Sequence, residues 1–300
     1  MTAPLISGHR IPDGGALGKS PLLSAFDVRL LMVALIWGFD FVAQRQGVQH
    51  VGAFFFNAAC FGLGSLMMAL RRLRNGHTQS SNARLPGILT GVALFAAISL
   101  QTIGMVTTSA GKAAFITSLY LVLVPIGSRL FGTKICRNVW IGCLLALAGL
   151  YFLCAHGTLA FSFGDILVLV SAFFWTTQIL TIDHFAPKVD GIDLAFWQFL
   201  SCALLSLVAS LLFETTTIAS ARIALLPILY NGIISAGIAY SLQISGQGGT
   251  TASRAAILLS LETVFAAIGG WLLLGEHLGP RELFGCALML AGTLISQVRR

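Results

Sequence analysis

Two carboxylic acids stand in segments that otherwise resemble hydrocarbon. Asp40 lies inside LIWGFDFVAQR (35–45), and Glu262 closes the run TASRAAILLSLE (251–262). Two cations, Lys112 in SAGKAAF (109–115) and Arg254 in TASRAAIL (251–258), head apolar runs of their own. An ionisable group at membrane depth costs about 3 kcal/mol or more, so it faces a cavity, a partner or the interface. A carboxyl in such a cavity can take and release a proton, or attract the amine of a substrate. Lys112 and Arg254 read in two ways: as interfacial anchors whose heads reach to water, or as groups that close or line the two mouths of a pore.

Neutral groups of the same depth complete the set. The amides Gln44, Asn57, Gln101, Gln178, Gln198 and Gln243 can line a cavity or bond across helices. Trp37, Tyr120, Trp175, Trp197 and Tyr240 supply an amphipathic wall for it. Pro125 lacks an N–H and can kink its helix, which makes it a hinge candidate. The expected substrate cavity therefore combines Trp37, Asp40, Gln44, Asn57, Gln101, Tyr120, Trp175, Gln178, Trp197, Gln198, Tyr240, Gln243 and Glu262, with Lys112, Arg254 and Pro125 at gates or helix ends.

This is not hydrolytic machinery. There is no GxSxG, no HExxH and no histidine pair at helical spacing; His50, His77, His156, His184 and His277 fall in loops or at the ends of apolar runs. A phosphate loop at SAGK would need glycine at Val106 and a hydroxyl residue at Ala113. The six cysteines show no CxxC or metal spacing and read as small residues of a core or lipid-facing surface. Isolated cations argue against highly charged phosphate esters, which need arginine or lysine clusters at depth. No metal or cofactor is expected.

The elements that must hold these residues are membrane helices. Only 10% of the 300 residues are charged, 56% are hydrophobic, and the mean hydropathy is +0.87. A soluble domain is about one quarter charged, and a soluble helix needs a broad polar face that these segments lack. Apolar runs suggest ten spans, near 28–46, 51–71, 85–104, 110–131, 138–155, 164–183, 193–213, 223–244, 252–274 and 281–298. Residues 1–25 are Gly- and Pro-rich, lack the layout of a cleaved signal peptide, and read as a mobile cytoplasmic tail. The net charge of +7 comes from dispersed or span-flanking residues, which points to a bilayer rather than nucleic acid. Thirteen Lys and Arg residues fall in the tail, the even-numbered loops and the C-terminus, against Arg45, Arg222 and Arg281 in the odd-numbered loops. Both termini should therefore be cytoplasmic.

The two cationic runs belong to an internal repeat. AISLQTIGMVTTSAGKAAFITSLY (97–120) aligns with AYSLQISGQGGTTASRAAILLSLE (239–262), so that Gln101 meets Gln243, Lys112 meets Arg254 and Tyr120 meets Glu262, an offset of 254 − 112 = 142. GCLLALAG (142–149) likewise aligns with GCALMLAG (285–292), and weaker matches bring Trp37 near Trp175 and FFN (55–57) near FWQ (196–198). Two halves follow, 26–155 and 160–300, of five spans each. An odd number of spans makes the second half enter from the opposite side. The expected fold is thus all-α, with two inverted five-helix repeats around a midplane cavity.

These motifs resemble the drug/metabolite transporter superfamily, in its ten-span EamA-type branch. The resemblance rests on LIWGFDFVAQR, on the paired SAGKAAF and TASRAAIL, and on the ending LLLGEHLGPRELFGCALMLAGTLI (272–295), and it covers nearly the whole chain after the tail. It implies no ATPase and no bound cofactor, and the expected mechanism is alternating access by two five-span halves that rock about the midplane cavity. The bacterial inner-membrane exporters of aromatic and other amino acids are nearest in type; multidrug and nucleotide-sugar-type transporters of the superfamily are the alternative. The first half departs from the ending pattern, with Lys134 in RLFGTKICRNVWIG (129–142) where the second half has Glu276. The two pore mouths need not behave alike. The expected partners are the lipid bilayer and a small-molecule substrate, amino acids foremost, with no nucleic acid and a monomer as the simplest state.

Overall fold

A computed structural model describes residues 24–74, 81–108, 110–154, 162–274 and 279–298. The 1–25 tail lies outside them except for its last two residues. So does Glu276, and so does the side chain of Lys112. The described chain is helical throughout, with no strand among the described residues. The helices are α1 (Ala25–Val48), α2 (Ala53–Arg74), α3 (Arg84–Gly104), α4 (Ala110–Thr117), α5 (Tyr120–Leu130), α6 (Arg137–Cys154), α7 (Phe163–Phe185) and α8 (Gly191–Phe213). They continue with α9 (Ile218–Ile223), α10 (Leu225–Leu229), a π-helical stretch Tyr230–Ala239, α11 (Tyr240–Gln247), α12 (Ala252–Leu259), α13 (Glu262–Leu274) and α14 (Pro280–Gln297). We call the end where α1 begins proximal and the end where it finishes distal.

Seven of the described helical stretches are long and apolar enough to cross a membrane. Among the segments that fall short, α1 carries Asp27, Arg29, Asp40 and Arg45, the described apolar part of α6 is the shorter stretch Arg137–Phe152, and α14 begins with Pro280 and the charged Arg281 and Glu282. Leucine and valine face outward along the bundle, as at Leu66, Leu89, Leu144, Val208 and Leu211. The polar groups turn inward: Gln44, Asn57, Gln101, Gln178, Gln243 and Glu262 are all buried. That inside-out distribution suits a lipid solvent, where apolar surface costs nothing and polar side chains need protein partners.

Several local devices recur at the repeat spacing. Ser24 accepts from the Asp27 amide at 3.2 Å while the Asp27 carboxylate takes the Ser24 N–H at 2.8 Å, a capping box that opens α1. Ser162 and Asp165 do the same at 3.2 and 2.6 Å to open α7, 162 − 24 = 138 residues later. The expected span at 110–131 breaks after α4, where Leu119 N–H bonds Ile116 O and Leu121 N–H bonds Ser118 O, three residues back instead of four. The span at 252–274 breaks in the same way, with Leu261 bonding Leu258 and Thr263 bonding Ser260, each 142 residues later. Pro125 sits inside α5. Its missing N–H leaves Leu121 O available, and Cys143 Sγ approaches that carbonyl at 3.3 Å.

Helices α6 and α14 pack through small residues. A Cβ on Gly142 would meet Gly292 O at 2.6 Å, and one on Gly292 would meet Gly142 O at the same distance. A Cβ on Gly149 would come within 2.5 Å of Gly285 O. Gly142 thus faces Gly292 while Gly149 faces Gly285, so the two helices run antiparallel. Only glycine permits this approach of backbones.

Candidate functional site

The central cavity lies where α1, α3, α4, α5, α7, α11 and the start of α13 converge. It is lined by Trp37, Asp40, Phe41, Ile98, Gln101, Thr117, Tyr120, Trp175, Ile179, Tyr240 and Glu262. Gly38 lets α1 reach the break before α13: a Cβ there would meet Phe265 Cβ at 2.5 Å and Glu262 O at 2.9 Å. The close approach brings Asp40 and Glu262 into one cavity. Three of its five aromatic rings pack together, with centroids 4.8 Å apart for Trp37 and Tyr240, 6.2 Å for Trp37 and Trp175, and 6.4 Å for Trp175 and Tyr240.

Its polar groups are unevenly satisfied. Tyr120 Oη donates to Glu262 Oε1 at 3.2 Å. Gln101 is the most connected: its Oε1 accepts from Trp175 Nε1 at 2.8 Å and from Thr117 Oγ1 at 3.4 Å, and its Nε2 donates to Gln44 Oε1 at 3.1 Å. Gln44 Nε2 in turn donates to Thr102 Oγ1 at 3.1 Å, and that hydroxyl lies 3.3 Å from Asn57 Oδ1. On the other side Gln178 and Gln243 exchange two amide bonds of 3.3 Å. Ser235 lies beside the Asp40 carboxyl. The buried atoms Asp40 Oδ1 and Trp37 Nε1 have no partner.

The cavity is sealed distally and approached proximally. Gln44, Asn57 and Thr102 are essentially inaccessible on the distal side, and Thr108 Oγ1 bonds Asp165 at 3.0 Å to close α3 onto α7. At the proximal end a vestibule of about 370 Å³ opens between α1, α2, α8 and α11, lined by Phe26, Arg29, Met68, Arg71, Asp190 and Ser241 among others. The Gln178–Gln243 pair, with buried Leu30, Ile179 and Ile244, separates the vestibule from the cavity. The cavity itself has a free volume of about 30 Å³, room for little more than water. Small-molecule pockets begin near roughly 300 Å³, so this conformation is too narrow to hold a metabolite at its centre.

Of the thirteen expected cavity residues, the structure brings Trp37, Asp40, Gln101, Tyr120, Trp175, Tyr240 and Glu262 to the wall. Gln44 and Asn57 stand behind it in the distal network, and Gln178 and Gln243 form the proximal pair. Trp197 and Gln198 do not reach the cavity. Gly87 and Gly91 draw α3 against α8, where a Cβ on Gly91 would meet Gln198 O at 2.6 Å, and the Trp197 ring sits under the Arg84 guanidinium at 5.1 Å. Arg254 occupies the first turn of α12, half-buried, outside the lining. Thr102, the link between Gln44 and Asn57, was not singled out by sequence; its place one residue after Gln101 was the available signal. Among the described residues no cluster of His, Cys, Asp and Glu could hold a metal.

The sequence matches the EamA-like transporter family over residues 27–155 and again over 162–297. An uncharacterized transporter of Archaeoglobus fulgidus is 35% identical over 289 residues, covering 96% of this chain and 90% of its own. A probable amino-acid metabolite efflux pump of Salmonella typhimurium is 24% identical over 284 residues, covering 89% and 92%. An uncharacterized inner membrane transporter of Escherichia coli is 29% identical over 154 residues, about half of each chain. A solved crystal structure superposes with a TM-score of 0.77 at 20% identity, covering 91% of this chain and 95% of that one, a likeness of fold alone.

Proposed function

This chain belongs to the EamA-like transporter family, and from that premise we propose that it is a secondary transporter exporting neutral and aromatic amino acids and related metabolites. The observation that carries the substrate class is the composition of the cavity wall. Two carboxyls, one amide and five aromatic rings share it, with no Lys or Arg in the lining among the described residues. The carboxyls suit an ammonium group. The rings and the Gln101 amide suit a variable side chain and a carboxylate. A nucleotide sugar would meet no cation there. The name of the Salmonella relative agrees with this reading.

The mechanism is alternating access between two five-helix halves of opposite orientation, ten spans in all, with the cavity between them. Support comes from contacts that repeat across the halves. Gly142 with Gly292 and Gly149 with Gly285 are the same contact seen from either half, as expected when a two-fold axis lies in the membrane plane. The proximal end, rich in Arg29, Arg71, Arg72 and Arg74, is the cytoplasmic one in an inner membrane on this reading, and the vestibule lies at that end.

The test is uptake into vesicles reconstituted with purified protein, using a panel of amino acids and of amine-lacking analogues, with and without a proton gradient. Saturable uptake of neutral and aromatic amino acids is expected. Flux of drugs or nucleotide sugars alone would overturn the substrate class, and conductance without saturation would overturn the mechanism.

A further inference from the structure

The two halves do not use their equivalent polar residues alike, and the difference falls on the two cavity atoms that lack partners. Gln101 and Gln243 are equivalent at the 142-residue offset. At the 138-residue offset that relates the capping boxes, Trp37 is equivalent to Trp175 and Asp40 to Gln178. Across the halves, Trp175 Nε1 donates to Gln101 at 2.8 Å. The counterpart, Trp37 Nε1 to Gln243, is not made: Trp37 Nε1 is buried without a partner while Gln243 is engaged with Gln178. Within the second half, Gln243 bonds Gln178. The counterpart, Gln101 to Asp40, is not made either, and Asp40 Oδ1 is the other orphan.

Two inverted halves that exchange conformations convert a state open at one end into a state open at the other. Resting on that reading of the fold, we propose that Trp37, Asp40, Gln101 and Gln243 form the second setting of a switch, whose first setting is the Trp175–Gln101 and Gln178–Gln243 bonds. In the opposite-facing state Trp37 Nε1 donates to Gln243, and Gln101, released from Trp175, donates to Asp40. Both orphans are then satisfied. Each state leaves unpaired what the other pairs, so neither is overwhelmingly favoured. A buried donor or acceptor without a partner is expensive enough to call for such an explanation. The geometry permits the exchange: Trp37 already packs against Tyr240, one helical turn from Gln243, and Gln101 and Asp40 line the same cavity. These four are positioning residues in the switch, and Trp37, Asp40 and Gln101 also belong to the wall offered to the substrate.

The test is hydrogen–deuterium exchange on the purified full-length protein in lipid nanodiscs, followed at the distal end of α3 (99–108) and at the proximal end of α11 (241–250). Trp175→Phe removes a bond of the first setting. It should speed distal exchange about threefold to tenfold and slow proximal exchange. Adding Trp37→Phe to Trp175→Phe removes a bond of the second setting and should return both ends toward wild type. Trp175→Phe combined with Asp40→Leu should do the same without touching a second indole. Loosening that simply adds up at both ends in the combined variants would show ordinary packing loss and overturn the switch. An unchanged exchange pattern in Trp175→Phe would also overturn it. Transport is not read here, so a chain that exchanges in the expected pattern but moves no amino acid refutes the export reading and leaves the switch standing.

Discussion

Tyr120 and Glu262 touch through a 3.2 Å hydrogen bond and are separated by 142 positions, the offset of the internal repeat. Each begins the helix that follows a break, α5 in one half and α13 in the other. Equivalent residues of two related halves meet side by side only close to the axis that relates them. The contact therefore places a carboxyl where the two repeat-related stretches meet.

Replacing either partner separates the structural role of this bond from its chemical role. Tyr120→Phe leaves the Glu262 carboxyl without its donor and should lower stability by about 1–3 kcal/mol, seen as a lower Tm in detergent. Glu262→Gln keeps an acceptor for the phenol, so its Tm should stay near wild type. Its amino-acid uptake should fall about tenfold or more, because the charge is gone. Equal Tm losses with unchanged uptake would make Glu262 purely structural.

Asp40 lines the cavity and differs from Glu262 in having a buried oxygen without a hydrogen-bond partner, which is the form expected of a group that meets substrate. Asp40→Asn preserves size and removes the charge. Loss of a charge-assisted bond to an ammonium group corresponds to about 1.5–3 kcal/mol, or roughly ten- to a hundredfold in affinity. Uptake of amino acids should weaken by that factor while an amine-lacking aromatic acid is moved as before. Equal losses for both substrates would reject amine recognition by Asp40.

The repeat, the apolar runs and most of the cavity wall were legible in the sequence because each rests on residue type at a fixed spacing. Asp40 and Glu262 stood out as carboxyls in apolar runs, and Gln101 and Gln243 as amides at matched positions. Trp197 and Gln198 were misplaced for a physical reason. Depth along a helix can be read from a sequence, but the face it turns depends on its neighbour, and Gly87 and Gly91 turn that face of α8 onto α3. The breaks at Ser118 and Ser260 were also hidden. They interrupt runs that remain uniformly apolar, and only the backbone bonds to residues three back reveal them. Glu214 was likewise unmarked: it ends α8, yet its carboxylate accepts the Phe54 and Phe55 amides at 2.9 and 2.8 Å and caps α2 in the other half.

Gly142 and Gly292 occupy the two sides of one close contact, so substitutions there should have matched consequences. Gly142→Leu and Gly292→Leu each force α6 and α14 apart, an overpacking that costs about 1–3 kcal/mol or more. Both should lower Tm by similar amounts. The double variant should cost less than the sum, since the helices have already separated. Independent, fully additive losses would contradict the shared contact.

Arg72 and Asp193 form an ion pair of 2.9 Å between α2 and α8 at the proximal end, with the Asp193 side chain fully buried and the Arg72 guanidinium stacked on Phe196 at 4.6 Å. A pair of this kind is weak as a source of net stability but costly to break, because one charge is then left buried and alone. Asp193→Ala should therefore destabilise the protein by about 3 kcal/mol or more. The combined change Arg72→Met with Asp193→Leu removes both charges together and should recover most of that loss. Thermal unfolding of the three proteins decides the matter. If Asp193→Ala alone is harmless, water reaches the pair, and the α2–α8 seam is wetter than its burial indicates. If the combined variant is as unstable as the single one, the pair is held for the shape of that seam, and α2 and α8 would be expected to shift against each other at the mouth of the vestibule.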